Sequence, residues 1–175
     1  MSFDAFCYST TDKDKIPGET QDDDYVKKSA FEILSFELGA ENNINIGSIS
    51  GGGGAGKATF KEFTVTKKTD SASTGLFHAL VTGKHFGDLW IDLRRSGADE
   101  KKSGGLFMQF QFAMVMVQDI SWSGSDGDDI CEETVVFQYG AIQVFYQPQD
   151  TKGKMGEKKS AVWSRVKNNA SMNVG

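Results

Sequence analysis

The 175-residue chain is long enough for one domain, 1–175, that buries most of the surface its unfolded form would expose. Its net charge is −5, with basic and acidic residues interleaved, which disfavours a nucleic-acid partner because a phosphate backbone requires a multivalent basic surface. The sequence contains no apolar run as long as a membrane span and begins without the pattern of a signal peptide. We therefore expect a cytoplasmic protein that does not insert into membranes.

Short runs rich in β-branched and aromatic residues recur along the chain and predict a mainly β protein. The first strand is predicted over residues 3–8, and a polar connection follows over residues 10–24. Alternation from residue 30 predicts a second strand with one apolar and one polar face. The residues expected to face the core are Leu34, Phe36 and Leu38, and those expected to face water are Ser35 and Glu37. A third strand is predicted over residues 57–68.

One helix is predicted over residues 70–85, because apolar side chains recur there at helical spacing. The apolar stripe consists of Leu76, Phe77, Leu80 and Val81, and the candidate caps are Asp70, Ser71 or Ser73 at the start and Gly83 with Lys84 at the end. Three longer strands are predicted over residues 86–95, 106–122 and 132–147, the last two as a hairpin. A flexible segment over about residues 148–160 precedes a last short strand in AVWSRV.

The segment SGGGGAGK, residues 50–57, looks at first like a phosphate-binding loop. Such a loop needs a Ser or Thr hydroxyl directly after the lysine and a helix that begins there. Here Ala58 follows Lys57, Thr59 comes one residue late, and the following residues alternate as a strand. Nucleotide binding is therefore disfavoured, and the glycines are interpreted as a long loop between two strands.

Several short strings occur in the order typical of one known family. They are GET and QDD near the start, GGGGAGK before FTVTKKTD, a helix ending in TGKH, then LRRSG, EETVVF and VFYQPQ, and finally a tryptophan and NN. In this order they resemble the haemolysin-coregulated protein (Hcp) family, the tube subunits of bacterial type VI secretion. The resemblance covers residues 3 to about 169, although the first turn is more polar than usual and Phe36 and Leu38 stand where tryptophans are common.

The resemblance implies a small β-barrel of two sheets with one flanking short α-helix, six copies of which assemble as a ring. It also implies an extended loop over about residues 42–58 that reaches a neighbouring subunit. The residues assigned to this interface loop are Ile44, Ile46, Gly51, Gly52, Gly53, Gly54, Gly56 and Lys57. Ser35 and Glu37 are candidates to face the lumen of the ring, the alternative being that Glu37 faces bulk solvent on a monomer.

The function implied by the resemblance is that of a structural subunit of the type VI inner tube, without a catalytic site, cofactor or metal ion. Hexameric rings would stack into a hollow tube that is expelled and carries effector proteins in its lumen. The expected partners are further copies of the chain, the spike and sheath proteins, and effectors. The protein would leave the cytoplasm for the extracellular space or a target cell without a signal peptide.

The alternative function is a monomeric β-sandwich binding module, for instance for carbohydrate, with Trp90, Trp122 and Trp163 as its binding face. A tube subunit fused to a toxin is disfavoured, because only a short tail follows residue 149. The two histidines, His78 and His85, lack further ligands at metal-binding spacing and are interpreted as packing or capping residues. The acidic runs near residues 12–14 and 126–129 lack the pattern of a calcium loop. The two cysteines, Cys7 and Cys131, are expected to be reduced.

Overall fold

A computed structural model describes residues 3–44, 55–95 and 105–175 of the chain. This part forms ten strands, one α-helix and one 3-10 helix. In chain order the strands are β1 (Phe3–Tyr8), β2 (Phe31–Glu32), β3 (Ser35–Glu37), β4 (Ala40–Ile44), β5 (Ala55–Phe60), β6 (Phe63–Lys68), β7 (His85–Arg95), β8 (Leu106–Ser123), β9 (Glu132–Tyr146) and β10 (Lys159–Ser164). The α-helix α1 spans Ser71–Thr82, and the 3-10 helix spans Val26–Lys28. No helix in these described ranges is long and apolar enough to cross a membrane.

Eight of the strands form one curled antiparallel sheet in the order β2-β1-β7-β8-β9-β6-β3, with β10 paired to β9. The connection between β2 and β3 joins the two ends of this sheet. The Ile33 amide donates to the Ala5 carbonyl oxygen on β1 at 3.0 Å, and the Leu34 amide donates to the Thr66 carbonyl oxygen on β6 at 2.7 Å. The sheet is thus a half-barrel whose edges meet at this connection. The predicted mainly β class with one flanking helix is confirmed.

The core lies inside the curled sheet and is dominated by stacked aromatic rings. The Phe63 ring on β6 lies 4.0 Å from the Phe112 ring on β8 and 4.6 Å from the Phe137 ring on β9, measured between centroids. All three side chains are fully buried. Burial of each contributes about 1.5–3 kcal/mol relative to leaving it in water, so this stack fixes the curvature that brings β6 over β8.

The in–out alternation of β7, β8 and β9 reverses at a single level of the sheet. Two rows of buried, paired residues border this level: Leu89–Phe112–Ile142 and Phe86–Val115–Tyr139. In each strand the two rows are three residues apart. With strict alternation, residues three apart would point to opposite faces of the sheet, so the alternation must be interrupted for both rows to be buried. Between the rows Met114 has a φ of 52°, a left-handed conformation that only glycine adopts without strain. The sheet bends along this line.

The helix α1 packs on β8 and begins and ends where the sequence predicted. Asp70 caps its start by accepting from the Ala72 amide at 3.0 Å, while the Ser73 hydroxyl accepts from the Asp70 amide at 3.0 Å. Gly83 ends it with a φ of 66°. The predicted stripe is wrong in part: Leu76 is buried and Leu80 half-buried, but Phe77 and Val81 are exposed, because the buried face continues through Ala72 and Ala79.

Two of the predicted strands are interrupted. The strand predicted from residue 30 consists of β2, β3 and β4, and Leu34 is 56% exposed because the chain passes there from one sheet edge to the other. Phe36 and Leu38 do pack against the core. The strand predicted over residues 57–68 is divided into β5 and β6 at Lys61 and Glu62. The segment predicted to be flexible over residues 148–160 contains a bridge between Gln149 and Met155, and β10 already begins within it.

Candidate assembly surface

The hairpin formed by β4 and β5 is a sheet of its own, separate from the half-barrel. Its register runs from the pair Ala40 and Phe60 to the pair Ile44 and Ala55, with an irregularity after Asn42. All residues of β4 are exposed, and Ile44 is 62% exposed. A two-stranded hairpin without a third strand is at best marginally stable in water. Phe60 at its base packs against the core, but the exposed side chains of β4 are left available to a further surface.

Within the range predicted as an extended loop, residues 42–44 and 55–58 are paired strand rather than loop. Of the residues assigned to the interface loop, Ile44 ends β4, and Gly56 and Lys57 belong to β5. A Cβ atom at Gly56 would lie 2.7 Å from the Asn43 carbonyl oxygen, so the close approach of the two strands requires glycine there. Because Lys57 lies within a strand, it does not begin a helix as a phosphate-binding loop requires. Ile46, Gly51, Gly52, Gly53 and Gly54 lie outside the described residues.

A groove of about 520 Å³ separates the base of this hairpin from the bend of the main sheet and from the chain after β10. Its lining includes Phe60, Met114, Met116, Tyr139, Trp163 and Arg165. The Arg165 guanidinium donates to the Tyr139 carbonyl oxygen and to Gln138 Oε1, both at 3.0 Å, and lies 5.1 Å from the Tyr139 ring centroid. The groove is thus a mostly apolar channel in which the Arg165 cation is held in place, and Lys57 also lines it.

The two lumen candidates lie on β3, a short strand at the end of the sheet. Ser35 pairs with Thr66 and Glu37 with Thr64, and both candidate side chains are exposed. Glu37 also lines a cavity of about 230 Å³ together with Lys61 and Glu62. The arrangement places a polar rim beside an open strand edge, where backbone groups remain available to another chain.

A buried ionic network that the sequence analysis did not identify fastens α1 to the sheet. The Lys67 ammonium is fully buried and donates to Glu133 Oε1 at 2.8 Å, to Asp70 Oδ1 at 2.7 Å and to the Ser73 hydroxyl at 3.1 Å. Glu133 is 1% exposed and also accepts from Trp122 Nε1 at 2.7 Å. Lys67 on β6 lies opposite Glu133 on β9. The sequence could not predict this pair, because the two residues are far apart along the chain.

A second buried carboxylate, Asp92 on β7, holds the polar N-terminal connection against the outside of the sheet. It accepts hydrogen bonds from the hydroxyls of Tyr8 and Tyr25 at 3.2 Å and 3.0 Å and from Gln109 Nε2 at 2.7 Å. Burial, and next the neighbouring Asp92 charge, raise the pKa of both tyrosines. Both hydroxyls therefore stay protonated and keep donating. The polar connection over residues 10–24 is thus anchored just after its end, at Tyr25.

The histidines and cysteines lie apart from the hairpin. His78 on α1 and His85 at the start of β7 are exposed and line a cavity of about 390 Å³ with Lys15 and Lys84. Cys7 is buried, Cys131 is exposed, and both are free thiols. Burial raises the pKa of the Cys7 thiol. Among the described residues, no group of three or more His, Cys, Asp or Glu side chains is arranged to hold a metal ion.

The three tryptophans do not form one binding face. Trp90 is half-buried, stacks between Tyr8 and Phe145 and donates to Asp88 Oδ2 at 2.8 Å. Trp122 lies beside α1, with its ring 5.9 Å from that of Phe77. Trp163 lines the groove near the hairpin. The three tryptophans thus lie in three separate environments and do not share the single face that the alternative function requires.

Comparison with known proteins gives one family. A family model described as type VI secretion system effector, Hcp, matches residues 8–146. The chain is 28% identical over 97 residues to the protein hcp1 of Pseudomonas aeruginosa, and the aligned part covers 55% of this chain and 58% of that relative. It is 32% identical to a type six secretion system protein of known structure, with a TM-score of 0.85, and the alignment covers 97% of this chain and all of the other. The fold is also similar to Hcp1 from Salmonella typhimurium, at a TM-score of 0.71 and 23% identity over 98% of this chain and all of the other.

Proposed function

Because the chain belongs to the Hcp family of type VI secretion proteins, we propose that it is a subunit of the inner tube, in which six copies close into a ring and rings stack. The observation that carries this proposal is the β4–β5 hairpin. Within the described residues its two strands pair only with each other, its β4 side chains are exposed, and a two-stranded hairpin gains stability when a further surface covers it. A neighbouring copy would provide that surface.

The open strand edges of the barrel support the same proposal. In the described part, β3 and β10 each pair with one strand only, β6 and β9 respectively. Unpaired edges in a monomer invite uncontrolled association, whereas a closed ring buries them between identical subunits. The groove lined by Phe60, Met116 and Trp163 is a mostly apolar surface next to the hairpin that a neighbouring subunit would cover.

The proposed architecture supports a role for the chain in secretion. We propose that Ser35 and Glu37, exposed on β3, face the lumen, and that the lumen carries effector proteins. The stacked tube would contact the spike and sheath proteins and be expelled from the cytoplasm. The chain would act by assembly rather than by catalysis.

A shortened hairpin tests the proposal. The variant replaces residues 45–54 by an Asn-Gly turn, which joins β4 to β5 directly. Sedimentation velocity at the same concentration should give a hexamer for the wild type and a folded monomer for the variant, with unchanged circular dichroism. A matched control replaces residues 150–153, a turn in the C-terminal segment, by the same Asn-Gly pair and should remain hexameric. A wild type that is monomeric at every concentration, or a hexamer unaffected by the shortening, would contradict the proposal.

A further inference from the structure

Charge is segregated between the two ends of the longest strand pair. Residues 119–133, at the turn between β8 and β9, contain six carboxylates and no lysine or arginine. Residues 152–159, between β9 and β10, contain four lysines and one glutamate. The strand β9 has 15 residues and separates the two segments by up to about 45 Å, at a rise of about 3.3 Å per residue. Lys67 and Lys68 on β6 pair with Glu133 and Glu132 at the first of these ends, so its excess negative charge lies at Asp119 and in the turn at residues 126–129. The strand pair thus has an acidic end and a basic end.

The acidic end also carries an apolar patch, which we define as Phe77, Val81 and Trp122. These side chains are 46%, 58% and 47% exposed, although each has a large apolar area. Phe77 and Trp122 contact each other at 5.9 Å between ring centroids, and the Trp122 indole is fixed by its hydrogen bond to Glu133. The patch is thus rigid and uncovered in the single chain. The exposed carboxylates beside it on β8, in the turn and on β9 are Asp119, Asp126, Asp128, Asp129 and Glu132.

The lysine segment has the chemistry that this end requires. All four of its lysines, Lys152, Lys154, Lys158 and Lys159, are exposed. Lysine ammonium groups pair with carboxylates, while the methylene stems cover apolar surface and the cation is attracted to indole and phenyl faces. The lysine segment can therefore contact both the acidic side chains and the apolar patch of Phe77, Val81 and Trp122.

We infer that the acidic end of one copy docks onto the lysine segment, residues 152–159, of a second copy. Because the two surfaces differ, the contact is heterologous and repeats with one polarity, so that copies add end to end. The inference rests on the proposed tube function, in which a ring presents six acidic ends to six lysine segments of the next ring. Six weak contacts made together give a strong one. The contact also weakens as salt screens it.

Charge-reversal variants test this contact. The acidic variant carries Asp126→Lys and Asp129→Lys, and the lysine variant carries Lys152→Glu and Lys154→Glu. Each should raise the concentration needed for stacking at 50 mM salt by at least tenfold. The first control, Asp14→Lys with Asp23→Lys, has the same change in net charge as the acidic variant and should stack like the wild type. The second control, Lys13→Glu with Lys27→Glu, is matched in the same way to the lysine variant.

Mixing the two variants separates docking from net charge. In the acidic variant the turn at residues 126–129 carries two lysines and one aspartate, and in the lysine variant residues 152 and 154 are glutamates. Each variant alone therefore opposes like charges at this contact, whereas an equimolar mixture should form alternating stacks. The quadruple variant should stack by itself. Sedimentation velocity at 500 mM salt counts the copies in a ring, and light scattering with electron microscopy at 50 mM salt measures stacking.

The outcomes distinguish this inference from the proposed function. Hexamers at high salt together with stacking that ignores both reversals, or a mixture that fails to recover, would overturn the end-to-end contact and leave the ring proposal standing. A wild type that stays monomeric at both salt concentrations would overturn both.

Discussion

Removal of the Lys67 ammonium group tests whether the buried ionic network holds α1 on the sheet. In the Lys67→Met variant, the Glu133 carboxylate stays buried but loses the Lys67 ammonium, its one cationic partner among the described residues, and Asp70 loses the same partner. Breaking one side of a buried pair typically costs about 3–5 kcal/mol, because an uncompensated charge remains. We expect a loss of that size in the free energy of unfolding.

The assay is urea unfolding, monitored by tryptophan fluorescence. Trp122 senses the network directly, because its indole N–H donates a hydrogen bond to Glu133. All variants are compared at one protein concentration and at equal oligomeric mass, since assembly itself adds stability. Combining Lys67→Met with Glu133→Gln should cost less than the sum of the single changes, with a coupling of about 1–3 kcal/mol. Lys68→Met, at the exposed neighbouring position, is the control and should leave the unfolding free energy unchanged. A loss below about 1 kcal/mol for Lys67→Met, or strict additivity, would refute the reasoning.

Three further changes have defined outcomes. Gly140→Val should lower the free energy of unfolding by about 1–3 kcal/mol. The reason is that a Cβ atom at position 140 would lie 3.0 Å from Val174 Cγ1 in a packed site. An unchanged urea unfolding curve would contradict this. Iodoacetamide should label exposed Cys131 and spare buried Cys7, whose pKa is raised by burial, until urea is added; equal labelling of the native protein by mass spectrometry would be inconsistent with the fold. Hydrogen bonding to Arg94 lowers the pKa of Asp22 in the folded protein. Ionised Asp22 therefore stabilises the fold above its unfolded pKa of about 3.9, and this stabilisation is lost as the pH falls through the lower folded pKa. Asp22→Asn should therefore flatten the acid side of the stability curve, and an unchanged curve would argue against this pair.

Local pattern was sufficient for the regular elements. Strand β1 has the predicted bounds, β7 begins one residue earlier than predicted, and the β8–β9 hairpin lies within one residue of its predicted ends. The helix was predictable because Asp70 and Gly83 are strong end signals and because the apolar spacing is helical. These strand bounds and helix ends depend on residues that are close together in the sequence, so the local sequence pattern predicts them.

Features that depend on distant contacts were not predictable. The exposure of Leu34 follows from a connection that bonds to β1 on one side and to β6 on the other. The bend at Met114 involves three strands at once, so the alternation within β8 alone does not reveal it. At the candidate site, the glycine-rich sequence indicated a loop, whereas the pairing of Ala40–Ile44 with Ala55–Phe60 depends on the register between two segments.

The mass of the wild-type particle in solution tests the central claim most directly. Sedimentation velocity at 500 mM salt, over a range of protein concentrations, should give a particle of six times 19.1 kDa, about 115 kDa, which appears as a ring in electron micrographs. A constant mass of 19.1 kDa at every concentration would contradict the tube-subunit account.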